Sequence, residues 1–216
     1  YKIGWFYDKN REPKLPNTIS LQEAASNILG LTHKEIVPRV KSNWGNECGM
    51  KDNYNVPGKY VTIATNSTAG CKFWTREGWQ DVINYLHSEG YMVVNTSIEN
   101  NPFDNCEKIV DTSLEYTIDC IRQSEFFIGL SSGLSWLAWA IGTPVIMISN
   151  FTEADHEFSC YRVTDESLCH GCWNNPNHKF DKGDWDWCPE HKNTPRHFEC
   201  HRGIKSDKVI DMIKSI

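Results

Sequence analysis

From Lys59 onward, short unbroken apolar runs alternate with segments whose apolar residues recur every three or four positions. The runs predict strands over Tyr60 to Ala64, Tyr91 to Val94, Phe126 to Leu130 and Val145 to Ser149. The periodic segments predict helices over Thr75 to Glu89, stopped by Gly90, then over Ser113 to Gln123 and Gly133 to Ile141. Trp79, Val82, Ile83 and Leu86 share one face of the first helix; Leu114, Ile118 and Ile121 share one face of the second. Strands that are apolar on both faces need cover on both sides. The β-α-β-α-β-α-β order therefore predicts an α/β fold, a doubly wound parallel sheet with helices on either face. A last helix, Ser206 to Ile216, would turn Val209, Ile210, Ile213 and Ile216 inward.

Before Lys59 the pattern is weaker. Ile3 to Tyr7 reads as a strand, and Ser20-Leu-Gln-Glu23 is a capping box that starts a helix with Ala24, Ala25, Ile28 and Leu29 inward and Gly30 at its end. Residues 33–57 hold no period and carry Gly45, Gly49 and Pro57, which predicts a linker or irregular loop. The expected division is a segment 1–57 that joins a missing upstream half, and a domain 58–216 that includes an inserted loop 160–203.

That insert carries the densest chemistry. Cys169-His-Gly-Cys172 is followed by Cys188 and Cys200, within a stretch rich in Trp, Asp and Asn. Two thiolates separated by two residues can face one ion from a tight knuckle, and two later ones can complete a tetrahedral shell. Zinc and iron both suit such a shell, and spacing does not choose between them. Two disulfides or four buried thiols are the plain alternatives; His170, His178, His191, His197 and His201 allow a mixed shell, but sulfur alone is expected. A closed four-thiolate site has no open position, so the metal should be structural. The Trp residues of the insert suggest packing against another subunit and hence a homo-oligomer.

A net charge of -6 and no compensating basic run argue against nucleic acid as a partner. No apolar run reaches the roughly twenty residues of a membrane span. The remaining cysteines, Cys48, Cys71, Cys106, Cys120 and Cys160, are scattered singly, which suits a reducing compartment and a cytoplasmic protein. Asn-x-Ser/Thr triplets at Asn66, Asn95 and Asn150 point the other way, as glycan acceptors of a secreted chain, although all three follow predicted strands.

Two strand-to-helix turns have the composition of anion sites. Thr65-Asn-Ser-Thr-Ala-Gly-Cys-Lys72 brings hydroxyls, a glycine and a cation to one strand end; Ser131-Ser-Gly-Leu134 opens a helix among small residues, with its first N–H groups free. Ordinary βα turns have the same composition, but a pair on one sheet edge fits a pyrophosphate. Neither is a Walker A loop or a dinucleotide fingerprint.

The Lys72-Phe-Trp74 turn, the Thr112-Ser-Leu-Glu115 helix start and Ser131-Ser-Gly-Leu-Ser-Trp136, followed by Ala138-Trp-Ala-Ile-Gly-Thr-Pro144, resemble the C-terminal half of bacterial heptosyltransferases of glycosyltransferase family 9. The cysteine segments, with Gly183-Asp-Trp-Asp-Trp-Cys188-Pro and Phe198-Glu-Cys200, narrow this to the autotransporter heptosyltransferases. The resemblance implies a Rossmann-like half of a GT-B enzyme that uses ADP-heptose, and an iron site made by the four cysteines. It implies that Ser67, Thr68 and Lys72 contact donor phosphates, that Ser132, Gly133 and Leu134 offer backbone N–H groups to the pyrophosphate, and that Thr112 lies near the adenine. Ser131 and Trp136 replace the Asp and His of ordinary heptosyltransferases, so those contacts do not carry over. The general base belongs to the N-terminal half. The expected function is transfer of a heptose-like sugar to a protein or surface-glycan hydroxyl; the rival is a non-catalytic, metal-stabilised interaction module of a polysaccharide-biosynthesis protein.

Overall fold

A computed structural model describes residues 17–38, 40, 59–99, 101–109, 111, 113–181 and 183–216. The strand expected over Ile3 to Tyr7, Cys48, Thr112 and most of the expected linker lie outside these residues.

After helix α1 (Leu21–Ile28), the described chain runs β1 (Tyr60–Ala64), α2 (Arg76–Ser88), β2 (Met92–Asn95), β3 (Glu107–Lys108), α3 (Leu114–Arg122), β4 (Phe127–Leu130), α4 (Gly133–Ala140), β5 (Val145–Ile148), β6 (Tyr161–Val163), α5 (Glu199–Arg202) and α6 (Ser206–Lys214). The strands form one six-stranded sheet in the order β3-β2-β1-β4-β5-β6, and every pairing is parallel. Among the described strands β1 lies mid-sheet and the later ones are added outward in both directions, so a crevice opens between the carboxyl ends of β1 and β4, where the winding reverses. That reversal fixes where a ligand can sit.

Alternation along each strand feeds two apolar layers. Val61, Ile63, Ile128, Leu130, Ile146 and Ile148 join Trp79, Val82, Ile83 and Leu86 of α2 and Val209 and Ile213 of α6. Ala64, Phe127, Val145 and Met147 pack with Ala138 of α4 on the other side. Gly129 permits that second layer to close: a Cβ there would meet the Phe127 ring at 2.5 Å and Ser135 Oγ at 2.7 Å. Ser135 Oγ in turn donates to Leu130 O at 2.5 Å, which pins the first turn of α4 against the end of β4.

Some expectations need correction. Leu114 is 60% exposed because it is the first residue of α3, ahead of the face that Ile118 and Ile121 bury. Ile216 is exposed because α6 ends at Lys214. In α1, capped by Ser20 as its sequence predicts, Ala24 is buried whereas Leu29, the C-cap, is exposed. The edge strands β3 and β6, of two and three residues, have too little sequence for a period.

Two of the three Asn-x-Ser/Thr side chains are internal. Asn95 is buried, donating to Thr65 Oγ1 and Asn101 Oδ1 and accepting from Ser97 N. Asn150 is buried and clamps both backbone groups of Asp165 at 2.9 Å. These amides hold loops at the carboxyl edge of the sheet and have no surface to offer a glycan.

Candidate donor site and cysteine centre

The crevice between β1 and β4 holds a cavity of about 460 Å3. Ser67, Thr68 and Lys72 line it from the turn after β1, and Ser132 and Gly133 from the turn after β4. The two sequence-predicted anion turns therefore meet in one place. Leu134 does not line the cavity; its side chain packs in the apolar layer under α4. Its backbone N–H belongs to the first turn of α4, which has no side-chain cap from Ser132. Such N–H groups, at the positive end of an eight-residue helix, are ready-made donors for an anion.

Lys72 ends a 3-10 turn, Gly70–Lys72. Its Nζ donates to Ser131 O at 2.9 Å, tying the two turns together, and stands 5.7 Å from the centre of the Phe151 ring. Burial lowers its pKa from the ordinary lysine value, against the opposing pull of Cys71 and Glu157. A partly desolvated cation with unused donor capacity gains most from an arriving anion.

The rest of the wall was not legible in advance. Leu21 and Gln22 of α1 close one side, and Trp136, Phe151, Thr152, His156, Trp173, Phe180 and Trp185 supply a largely aromatic surface. Gln22 Oε1 is buried with no partner among the described residues. The Trp residues of the insert thus serve this cavity: Trp173 and Trp185 line it, Trp187 is buried beneath it, and of the three only Trp185 is as much as half exposed. The repeated Trp in the insert was the available signal, but sequence gives no direction to an irregular loop.

The four predicted metal ligands also converge. Cys169, Cys172, Cys188 and Cys200 line one cavity of about 10 Å3, together with Cys71, room for roughly one water-sized body. Cys169 and Cys172 have sulfurs 3.9 Å apart, close to the roughly 3.8 Å edge of a tetrahedron of sulfurs about 2.3 Å from a central ion. That separation excludes a disulfide between them, and Cys71, Cys188 and Cys200 are likewise outside any disulfide. Gly171 makes the knuckle possible by adopting a left-handed φ of 65°.

Burial pushes the Cys200 thiol up to about 12, with further upward pressure from Cys71, Cys169 and Cys188. Burial, then the charge of Cys169, pushes Cys172 up as well, and burial raises Cys169. Thiolates that disfavour one another's charge in an apolar cavity are what a cation would satisfy, so the donor set fits a soft metal ion.

One grouping competes with this set. Cys169 Sγ, His191 and Glu199 place ligand atoms within 4.8 Å of one another, closer than the four thiols are as a group. Glu199 is already held by the Arg196 guanidinium through two contacts, at 2.7 and 2.5 Å, and accepts the Cys169 N–H at 3.2 Å. It reads better as a brace for the knuckle than as a ligand. His201 is no ligand either: it is fully buried, burial with Lys72 and Arg162 pushes its pKa down to about 3, and its Nε2 accepts from Asn150 N at 3.4 Å.

The sequence model of glycosyltransferase family 9 (heptosyltransferase) matches residues 5–184. The chain belongs to this family. Within the family-9 proteins it is 36% identical to the autotransporter heptosyltransferase Aah of Escherichia coli, over 100% of the chain and 57% of that protein. It superimposes with a TM-score of 0.89, at 34% identity, on crystalline TibC of enterotoxigenic E. coli, an iron-containing dodecameric glycosyltransferase, covering 100% of the chain and 58% of TibC. TibC in complex with ADP-D-beta-D-heptose gives a TM-score of 0.88 at the same identity, covering 100% of the chain and 59% of TibC. A third relative, BimC of Burkholderia thailandensis, is described as an inactive autotransporter heptosyltransferase and is 31% identical over 100% of the chain and 53% of its own length. The chain thus spans rather more than half the length of these relatives.

Proposed function

We propose that this family-9 chain is the donor-binding half of a bacterial heptosyltransferase, which moves a heptose from ADP-heptose to a hydroxyl of a protein or surface glycan. The observation that carries the reading is the Lys72 contact to Ser131 O, which joins two anion-competent turns at the switch point of the sheet. Displacement at the anomeric carbon breaks the bond to the β-phosphate oxygen, and negative charge grows on the departing ADP. Lys72 and the first N–H groups of α4 oppose that charge, with Ser67 and Thr68 fixing the diphosphate between them. Thr112 would lie by the adenine, and the base that takes the acceptor's proton would come from the N-terminal half.

The cysteine centre is read as a structural site for iron, with zinc as the alternative. When bound, the ion supplies a cross-link among Cys169, Cys172, Cys188 and Cys200, with no coordination position left for substrate. The absence of disulfides among Cys71, Cys169, Cys172, Cys188 and Cys200 supports a reducing, cytoplasmic setting, and the likeness to dodecameric TibC supports self-assembly.

Calorimetry of the full-length protein with ADP and ADP-heptose tests the reading. Binding of both, with heptose appearing on an acceptor by mass spectrometry, is expected. Failure to bind either nucleotide would sink it; nucleotide binding with no transfer to any acceptor would instead favour the interaction-module alternative.

A further inference from the structure

The 3-10 turn Gly70–Lys72 is the partition between the two cavities. Its consecutive side chains face opposite ways: Lys72 lines the donor cavity and Cys71 lines the cysteine cavity. The turn forms its own short bonds, Lys72 N to Ala69 O at 3.0 Å and Phe73 N to Gly70 O at 3.1 Å, so it moves as one piece. Besides the Lys72 bond to Ser131 O, what holds that piece from outside is the insert. Gly70 N donates to Trp185 O at 2.9 Å, and Cys200 Sγ approaches Cys71 O at 3.8 Å. Phe151 belongs to both cavity walls.

The fit at Gly70 is tight. A Cβ there would lie 3.0 Å from Asp186 Oδ1, 3.2 Å from Trp185 O and 3.3 Å from the Phe198 ring. Trp185 and Asp186 lie three and two residues before Cys188, and Phe198 lies two residues before Cys200. A shift of the cysteine wall is therefore passed to the turn that carries Lys72 through the Gly70 N–H bond to Trp185 O and the Phe198 ring, which yield less than the Asp186 carboxylate.

We propose that the cysteine insert is the positioning element of the diphosphate turn, through Gly70 and Trp185, so that metal occupancy and nucleotide binding strengthen one another. This rests on the nucleotide-binding reading above. Linkage requires the effect to be reciprocal: if the metal tightens ADP, ADP must tighten the metal by the same factor.

The experiment uses the full-length protein as purified with its metal, the same protein stripped by a chelator, and a Gly70→Ala variant, with ADP as the probe. Titration calorimetry should show ADP binding weakened by roughly tenfold on stripping, within the range of ordinary couplings. Competition against a chromophoric chelator should show saturating ADP raising metal affinity by the same factor. Gly70→Ala should keep its full metal content by elemental analysis yet bind ADP several-fold more weakly, a separation that general destabilisation does not produce. Equal ADP affinity in loaded and stripped protein would overturn the coupling while leaving the nucleotide-binding reading intact. Should stripping unfold the protein, Gly70→Ala decides alone, and unchanged ADP affinity there overturns the coupling. No ADP binding by the loaded wild type would overturn both.

Discussion

In the sheet, neighbouring residues alternate between two apolar layers, so that Val61 and Ile63 pack with α2 while Ala64 belongs to the layer under α4. In residues 164–203 the described helical segments are a 3-10 turn at Cys172–Asn174 and the four-residue α5, and the interior is a small cluster of Phe151, Trp187, Phe198, Cys71, Cys188 and Cys200. The sheet is held by repetition of a weak interaction over many side chains; at about 25 cal/mol per Å2 of apolar surface, no single residue dominates. The insert has few such residues, and the proposed metal centre would hold it through converging sulfur. One region should degrade gradually under mutation and the other abruptly. The cavity proposed for the donor lies where they meet, its Lys72 side built on strand ends and much of its aromatic side on the insert.

Removing one sulfur gives the most severe test of that contrast. Cys188→Ser leaves three thiols around the proposed ion, and loss of a structural metal belongs to the few single changes that cost about 4 kcal/mol or more. Elemental analysis should show the metal gone, and limited proteolysis should cut within 164–203 while circular dichroism retains the sheet. If the metal stays, the ligands are Cys169, His191 and Glu199 instead, since that grouping does not include Cys188.

Next in size is Lys72→Ala, which removes charge from the boundary between the regions. Loss of one preorganised donor to developing negative charge lowers kcat by about 10^2 to 10^3-fold, and here ADP affinity should fall with it. The wild type supplies a matching pH profile. Burial holds the Lys72 pKa below 10.5, so ADP affinity should decline at a pH below that of free lysine as the ammonium deprotonates. Because the folded-state pKa is the lower one, this group's contribution to stability rises over the same window, between the lowered value and 10.5. Weaker binding there is not unfolding. An affinity unchanged up to 10.5 would remove Lys72 from the diphosphate site.

The contrast also explains what the sequence could convey. Trp79, Val82, Ile83 and Leu86 announce their common face because a helix repeats every 3.6 residues, and the four strands they cover were placed within a residue or so. Leu114 and Leu29 break the pattern only because they stand at helix ends, where period says nothing about which neighbour lies beyond. The anion turns were legible from Ser, Gly and Lys at strand ends, and the cysteines from their spacing. The aromatic wall was not: Trp173, Phe180 and Trp185 belong to a segment without a period, which carries no information about the side chains that turn toward the cavity. The buried Asn95 and Asn150 were misleading for the same reason, since a triplet carries no information about burial.

Asn150 is the joint between the two regions and should show an intermediate effect. Its amide accepts from Asp165 N and donates to Asp165 O, while its own carbonyl accepts from Gly171 N at 2.8 Å, in the knuckle of the insert. Asn150→Ala leaves two partly buried backbone groups of Asp165 without their partner, at about 2 kcal/mol. For a chain of this length that lowers Tm by roughly 4–8 °C. Metal should be retained but exchange faster into a chelator, because the knuckle is loosened without losing a ligand. A Tm equal to wild type would mean that the joint carries no load.

The smallest effect is expected wholly within the sheet. Thr75 caps α2 by accepting the Gly78 N–H at 3.0 Å, a bond between two residues outside the insert. Thr75→Ala removes one satisfied N–H from the helix start, worth about 1 kcal/mol, or roughly 2–4 °C in Tm. Metal content, chelator exchange and ADP affinity should all match wild type, because a cap at one end of α2 is not transmitted to the Gly70–Lys72 turn, which the insert holds from the other side. A change in ADP affinity on Thr75→Ala would show that the phosphate turn takes its position from the sheet, and the division of labour between the two regions would have to be redrawn.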